Sequence, residues 1–152
     1  MNDTPPRSPI LLDALAGLDT DFDTSFLERN GHDVILCHGP QGARCPLLAE
    51  RACDKYESAH GVVFKLDLDD AQHRAIVTRY RASNPGLPIR VIASPGQAAR
   101  YPLLAALVQI WEHEPTVVEL DGFAALVDAV DNDADGDADA ELIAQVQVRH
   151  GD

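Results

Sequence analysis

The sequence is short of cysteines and of basic residues, and each shortage argues against a class of protein. Three cysteines, an odd number, are too few for a disulfide-stapled scaffold. Twelve Lys and Arg against 25 Asp and Glu give a formal net charge of −13, which repels nucleic-acid phosphates and anionic membrane surfaces. No apolar run approaches the ~20 residues that span a bilayer. We therefore expect no nucleic-acid or membrane partner, and the charge would suit a basic protein or peptide client.

The chain has an ordinary hydrophobic share of 45% in 152 residues, which is enough for one domain with its own core. Its beginning, MNDTPPRSPILLDALAGLD, has only a brief apolar run and no typical cleavage site, so we expect a cytoplasmic protein with reduced thiols. Composition predicts a flexible N-terminus over 1–8, a domain over 9–130 and an acidic tail over 131–152.

Short apolar runs alternate with helical patterns along the chain. DVILCHG, VVFKLDLDD, LPIRVIAS and TVVEL predict strands, and ILLDALAGL, SFLERNG, AQHRAIVTRYRA and GFAALVDAV predict helices. Two further helices are predicted, one from Arg44 to about Ala59 and an apolar one over Pro102–His113. The alternation predicts an α/β sandwich with a central sheet flanked by helices.

Three segments, in order, carry a family resemblance. A strand and a Gly/Pro turn lead to the CPLLA of Cys45–Ala49, the KLDLD of Lys65–Asp69 follows, and Leu87-Pro88-Ile89 begins a later strand. Over roughly 22–97 this set resembles a thioredoxin-like domain. The resemblance implies a three-layer sandwich with a central mixed sheet, a cis Leu87–Pro88 bond, and the helix at about 102–113 as an insertion.

The chain departs from that family at its active site. Gly42, Ala43, Arg44 and Cys45 stand where the family has Cys-x-x-Cys, so the attacking thiol is absent. The resemblance then implies a protein-binding or chaperone-like module without dithiol chemistry or a cofactor. Its binding surface would comprise the residues that flank the family's peptide groove, namely Gly42, Ala43, Arg44, Cys45, Leu87 and Pro88.

Two enzymatic readings stay open beside that one. Cys45 follows Arg44 at a predicted helix start, where a thiolate is stabilised, so it could serve as a monothiol redox group. Cys37 and Arg44 resemble the Cys-x5-Arg loop of cysteine-dependent phosphatases and arsenate reductases with one residue too many, and Glu114-Pro115 could stand in for their Asp-Pro acid. We expect binding rather than catalysis.

Two other features suggest a metal site and a dimer. Asp131, Asp133 and Asp135 match the first positions of a calcium-binding loop, although the twelfth position is Leu142 rather than Glu. We favour a solvated acidic linker over a metal site for these carboxylates. The helix predicted over Pro102–His113 is apolar nearly all round, so it needs a second cover. The N-terminal ILLDALAGL segment could cover it within the chain, but we favour a homodimer with Trp111 as an interface anchor.

Overall fold

A five-stranded, entirely parallel sheet forms the centre of the molecule. The computed structural model describes residues 8–39 and 45–135, with side chains through residue 130. The strands are β1 (Ile10–Ala14), β2 (Val34–Cys37), β3 (Gly61–Lys65), β4 (Ile89–Ile92) and β5 (Gln109–Trp111). Their spatial order is β2-β1-β3-β4-β5, and each neighbouring pair is parallel. This is the doubly wound order of the flavodoxin-like fold.

Helices cover both faces of the sheet. They are α1 (Asp21–Arg29), α2 (Asp54–Glu57), α3 (Ala71–Ser83), α4 (Gln97–Arg100), α5 (Pro102–Leu107) and α6 (Val117–Asp135), with a 3₁₀ turn at Pro46–Ala49. Leu27 of α1 and Phe123 of α6 pack on one face with Leu12 of β1. Ile76 of α3 and Leu104 of α5 pack on the other. All residues of β1 and β3 are buried, as expected for parallel strands covered on both sides.

The thioredoxin-like description is wrong, while the three-layer α/β arrangement is confirmed. A mixed sheet needs an antiparallel strand, and the described residues contribute only parallel pairs. The described residues also contain no cis peptide bond, so the expected cis Leu87–Pro88 bond is trans. The carbonyl of Pro88 accepts from the Val62 amide at 2.9 Å, which places Pro88 at the entry to β4.

Two segments have the opposite secondary structure to the one predicted. ILLDALAGL contains β1 rather than a helix, because a continuous apolar run looks the same in a strand buried on both faces as in a buried helix. TVVEL begins α6 rather than forming a strand. Thr116 and Glu119 form a capping box: the Glu119 amide donates to Thr116 Oγ1 at 3.2 Å, and the Thr116 amide donates to Glu119 Oε1 at 2.9 Å.

Two of the predicted helices are shorter and broken. Helix α5 ends at Leu107, Val108 is extended, and Trp111 lies half-buried on the edge strand β5 instead of at a helix end. Among the described residues 45–59 only the 3₁₀ turn and α2 form, and the 3₁₀ turn ends at Glu50, which takes a left-handed conformation with φ of 58°.

The described helices include none with the length and apolar character needed to cross a bilayer. The backbone of α6 runs to Asp135, but the side chains of Asp131, Asp133 and Asp135 lie outside the described set, so the calcium-site prediction is untested. Residues 1–7 and 136–152 also lie outside it, and the proposed N-terminal and tail boundaries stay predictions.

Candidate functional site

The carboxyl ends of β1, β3 and β4 border a cleft of about 410 Å³, here called the switch-point cleft. In this strand order the chain changes direction between β1 and β3, and folds of this kind bind ligands at that point, outside the carboxyl ends of the strands. The polar lining residues are Lys65, Asp67, Asp69, Ser94, Gln97, Arg100 and Glu114, and the apolar ones include Leu15, Leu18 and Ile92.

Lys65 is the last residue of β3, and its ammonium joins three separate elements. Nζ donates to Oδ2 of Asp23 on α1 at 2.8 Å and to Oε1 of Glu114, just after β5, at 2.9 Å. Burial alone would lower the pKa of Lys65, but these two carboxylates more than compensate and raise it. The side chain is therefore a fixed positive charge at the mouth of the sheet.

The two carboxylates differ in their exposure. The Asp23 side chain is 5% exposed, like that of Lys65, whereas the Glu114 side chain is 74% exposed. Asp23 and Lys65 thus form a buried ion pair, which Glu114 covers from the solvent side. The ammonium of Lys65 lies between the oxygens of Asp23 and Glu114, so a divalent cation that used both carboxylates would have to displace it. The described residues contain no group of three or more His, Cys, Asp or Glu side chains arranged for a metal ion.

Asp67 and Asp69 follow β3 and connect the cleft to α4 and α5. Oδ1 of Asp67 accepts from Gln97 Nε2 at 3.1 Å. Asp69 accepts from the hydroxyl of Tyr101 at 2.8 Å and from Arg100 through both carboxylate oxygens at 3.1 Å. The Tyr101 hydrogen bond, aided by Arg100, lowers the pKa of Asp69, so this carboxylate stays ionised.

An apolar groove of about 520 Å³ lies beyond that connection and is here called the α3–α5 groove. It is lined by Arg74, Thr78, Arg100, Tyr101, Pro102, Leu103, Leu104 and Leu107. Leu103 is 84% exposed and Leu107 is 46% exposed. The guanidinium of Arg74 stands 4.3 Å from the centre of the Tyr101 ring, a cation–π contact that fixes one wall.

The residues singled out from the sequence lie elsewhere. Cys45 is buried at the start of the four-residue 3₁₀ turn, and Leu87 and Pro88 are buried at the amino end of β4, away from the switch-point cleft. Gly42, Ala43 and Arg44 fall outside the described residues. The described contacts do not test whether any of these residues binds a client.

Sequence reasoning missed Lys65 and its partners. The KLDLD segment was read as a family motif, and Glu114 as a stand-in general acid. Two signals were available: a lysine ends an otherwise apolar strand, which is unusual for a buried position, and carboxylates follow it directly. Asp23 lies in the first turn of α1, where an acidic residue is ordinary, so nothing in the sequence marks it as a partner of Lys65.

No protein-family model matches the chain, and no curated protein matches it in sequence. Solved structures do. A response regulator receiver domain protein from Clostridium thermocellum superposes with a TM-score of 0.59 at 14% identity, over 79% of this chain and 93% of that one. A putative pilus assembly-related protein from Burkholderia pseudomallei gives 0.54 at 17%, over 78% and 90%. A sensor protein from Polaromonas gives 0.51 at 18%, over 80% and 99%.

These likenesses show a receiver-type α/β fold with a parallel sheet. At such low identities they show the fold alone. They overturn the thioredoxin-like assignment and, with it, the expectation of a chaperone-like module at the Cys45 and Pro88 surface. The monothiol redox and cysteine-phosphatase alternatives find no support from them either.

Proposed function

We propose that this chain is a receiver-like signalling domain that acts by binding another protein rather than by catalysis. Solved structures of the same fold are described as a response regulator receiver domain and a sensor protein, which supports a signalling role. The observation that carries the proposal is the ion pair of Lys65 with Asp23 at the point where this fold binds its ligands.

Lys65 makes phosphoryl or metal chemistry at the switch-point cleft unfavourable. Phosphoryl transfer depends on divalent cations that neutralise the developing charge. Here the ammonium of Lys65 already contacts both carboxylates, Asp23 at 2.8 Å and Glu114 at 2.9 Å. A cation would have to displace a buried, hydrogen-bonded ammonium, which leaves that charge without a partner.

We assign the binding site for the partner protein to the α3–α5 groove. Its exposed leucines offer an apolar surface, and the charged residues of its lining are the basic Arg74 and Arg100, of which Arg100 is already paired with Asp69, in a chain of net charge −13. The partner we propose is a segment of another protein with apolar side chains on one face and carboxylates beside them. Asp69 holds Arg100 and Tyr101, so the switch-point cleft fixes one wall of the groove.

The test compares two equally exposed apolar residues. Leu103 in the groove is 84% exposed, and Val118 at the start of α6 is 80% exposed. Wild type, Leu103→Glu and Val118→Glu are cross-linked in the native host, and the captured proteins are quantified by mass spectrometry. We expect at least one protein to be lost with Leu103→Glu and retained with Val118→Glu. Equal capture by all three would contradict the assignment.

A second copy of the chain is the alternative occupant of the groove. Sedimentation velocity at micromolar concentration distinguishes it: a dimer that Leu103→Glu dissociates, and Val118→Glu does not, would replace the heterologous partner with a homodimer.

A further inference from the structure

All three cysteines of the chain line one cavity on the opposite side of β1 from the Lys65 ion pair. This cavity, here called the thiol pocket, has a volume of about 260 Å³. It lies between β1, β2 and the segment that holds the 3₁₀ turn and α2. Cys45 is buried, and Cys37 and Cys53 are half-buried. Leu11, Leu47 and Ile76 supply most of the remaining apolar wall.

One charged side chain, Asp13, is completely buried in the wall of the thiol pocket. It belongs to β1 and is 0% exposed. Its Oδ2 accepts from the hydroxyl of Tyr80 on α3 at 2.7 Å, whereas among the described residues no nitrogen or oxygen atom donates to its Oδ1. The Cys37 thiol acts on this carboxyl only as a weak donor. Buried polar atoms are almost always hydrogen-bonded, so each exception calls for an explanation. A ligand that donates to Oδ1 would supply the missing bond.

Several groups face Asp13 from the surrounding elements. Tyr80 comes from α3, the Cys37 thiol from β2, and Lys55 from α2. Among the described contacts, the Nζ of Lys55 donates to the carbonyl of Leu36 at 3.1 Å and not to Asp13. Asp54, its neighbour in sequence, also lines the rim of the pocket. Burial raises the pKa of Asp13 to about 7, although Tyr80, Cys37 and Lys55 each act to lower it.

We propose that the thiol pocket binds a small apolar primary amine, whose ammonium donates a hydrogen bond to Oδ1 of Asp13. A charge-assisted bond to a carboxylate is stronger than one from a neutral hydroxyl. The net charge of −13 also raises the concentration of cations near the surface. The apolar walls and the volume suit a single ring or a short alkyl chain, because a buried apolar cavity of about 150 Å³ holds benzene.

Benzylamine, benzyl alcohol and toluene are matched probes for this proposal. They have the same ring and differ in the donor. Titration of the full chain, followed by amide NMR signals around Asp13 and Cys37, should show benzylamine binding at least about tenfold more tightly than benzyl alcohol, with toluene weaker still. Equal affinities for the amine and the alcohol, or no saturable binding of the amine, would overturn the proposal.

Proton linkage gives a second, independent measurement. The ammonium pairs with the ionised form of Asp13, which is the minor form at pH 6 and the major form at pH 8. The affinity for benzylamine should therefore rise about tenfold from pH 6 to pH 8. Asp13→Asn should remove both this rise and the preference for the amine, while Asp54→Asn on the rim should keep both. An affinity that stays level with pH in the wild type would refute the role of Asp13.

Thiol protection tests the location without any substitution, and so remains informative if Asp13→Asn does not fold. Bound benzylamine should slow alkylation of Cys37 and Cys53, read by mass spectrometry of the labelled peptides. Unchanged rates at saturating benzylamine would place the amine outside the thiol pocket and contradict the proposal.

Discussion

Replacing Lys65 with methionine should destabilise the fold far more than replacing Glu114 with glutamine. Lys65→Met leaves Asp23 5% exposed and without its cation, and breaking a buried pair by removing one partner costs about 3–5 kcal/mol. Glu114 is 74% exposed, so water screens its contact with Lys65, and Glu114→Gln should cost no more than about 1 kcal/mol.

The double variant Lys65→Met/Asp23→Leu distinguishes a lost ion pair from a lost packing contact. With both charges gone no buried carboxylate remains unpaired, and an apolar pair of similar volume is often as stable as the buried pair it replaces. We therefore expect the double variant to recover most of the stability that Lys65→Met loses.

Urea unfolding followed by circular dichroism measures these differences. At a slope of about 2 kcal/mol per M, Lys65→Met should lower the midpoint by about 2 M with the slope unchanged. A loss below about 1 kcal/mol, equal to that of Glu114→Gln, would refute the argument that Lys65 neutralises Asp23. Additive losses in the double variant would refute their coupling.

Three further predictions concern burial elsewhere in the molecule. Asp13 keeps its proton up to about pH 7 in the folded protein, whereas the unfolded chain loses it near pH 4, so the free energy of unfolding falls as the pH rises between these values. Measured by urea unfolding, wild type should lose ~1 kcal/mol more between pH 6 and pH 8 than Asp13→Asn does. Tyr80→Phe removes the hydroxyl that donates to the buried Asp13 and should cost ~1–3 kcal/mol of stability. Tyr56→Phe, which removes a hydroxyl that donates to a backbone carbonyl at 2.7 Å, should cost less, and equal losses would contradict this. Gly61→Ala would place a methyl 2.7 Å from a valine of α6, whereas Gly122→Ala meets nothing within 4 Å, so the first should lower the melting temperature and the second should raise it.

The alternation of strands and helices in the sequence was enough to predict an α/β sandwich, but not the arrangement of its strands. The run ILLDALAGL has no period that separates a strand buried on both faces from a buried helix. Once it is misread, β1 is lost from the centre of the sheet, and the remaining strands can be matched to another topology. The capping box of Thr116 and Glu119 is a local signal that could have placed the start of α6 correctly.

The candidate site was harder to predict because it is assembled from distant parts of the chain. Lys65 meets Asp23 and Glu114, which lie 42 and 49 residues away in sequence. Asp13 meets Tyr80 across 67 residues. Only the parallel order of the strands brings these groups together, so no motif of fixed spacing marks them. The cysteines drew attention to Cys45 as a nucleophile, whereas the structure places all three around Asp13.

A magnesium titration monitored by amide NMR tests directly whether the ammonium of Lys65, held between Asp23 and Glu114, excludes a divalent cation from the switch-point cleft. We expect no saturable shift in the signals of Lys65, Asp67 or Asp69 up to millimolar Mg²⁺, with only the weak, non-saturating changes that an acidic surface shows. A saturable shift of these signals, with the largest change at Asp23 and Lys65, would contradict it.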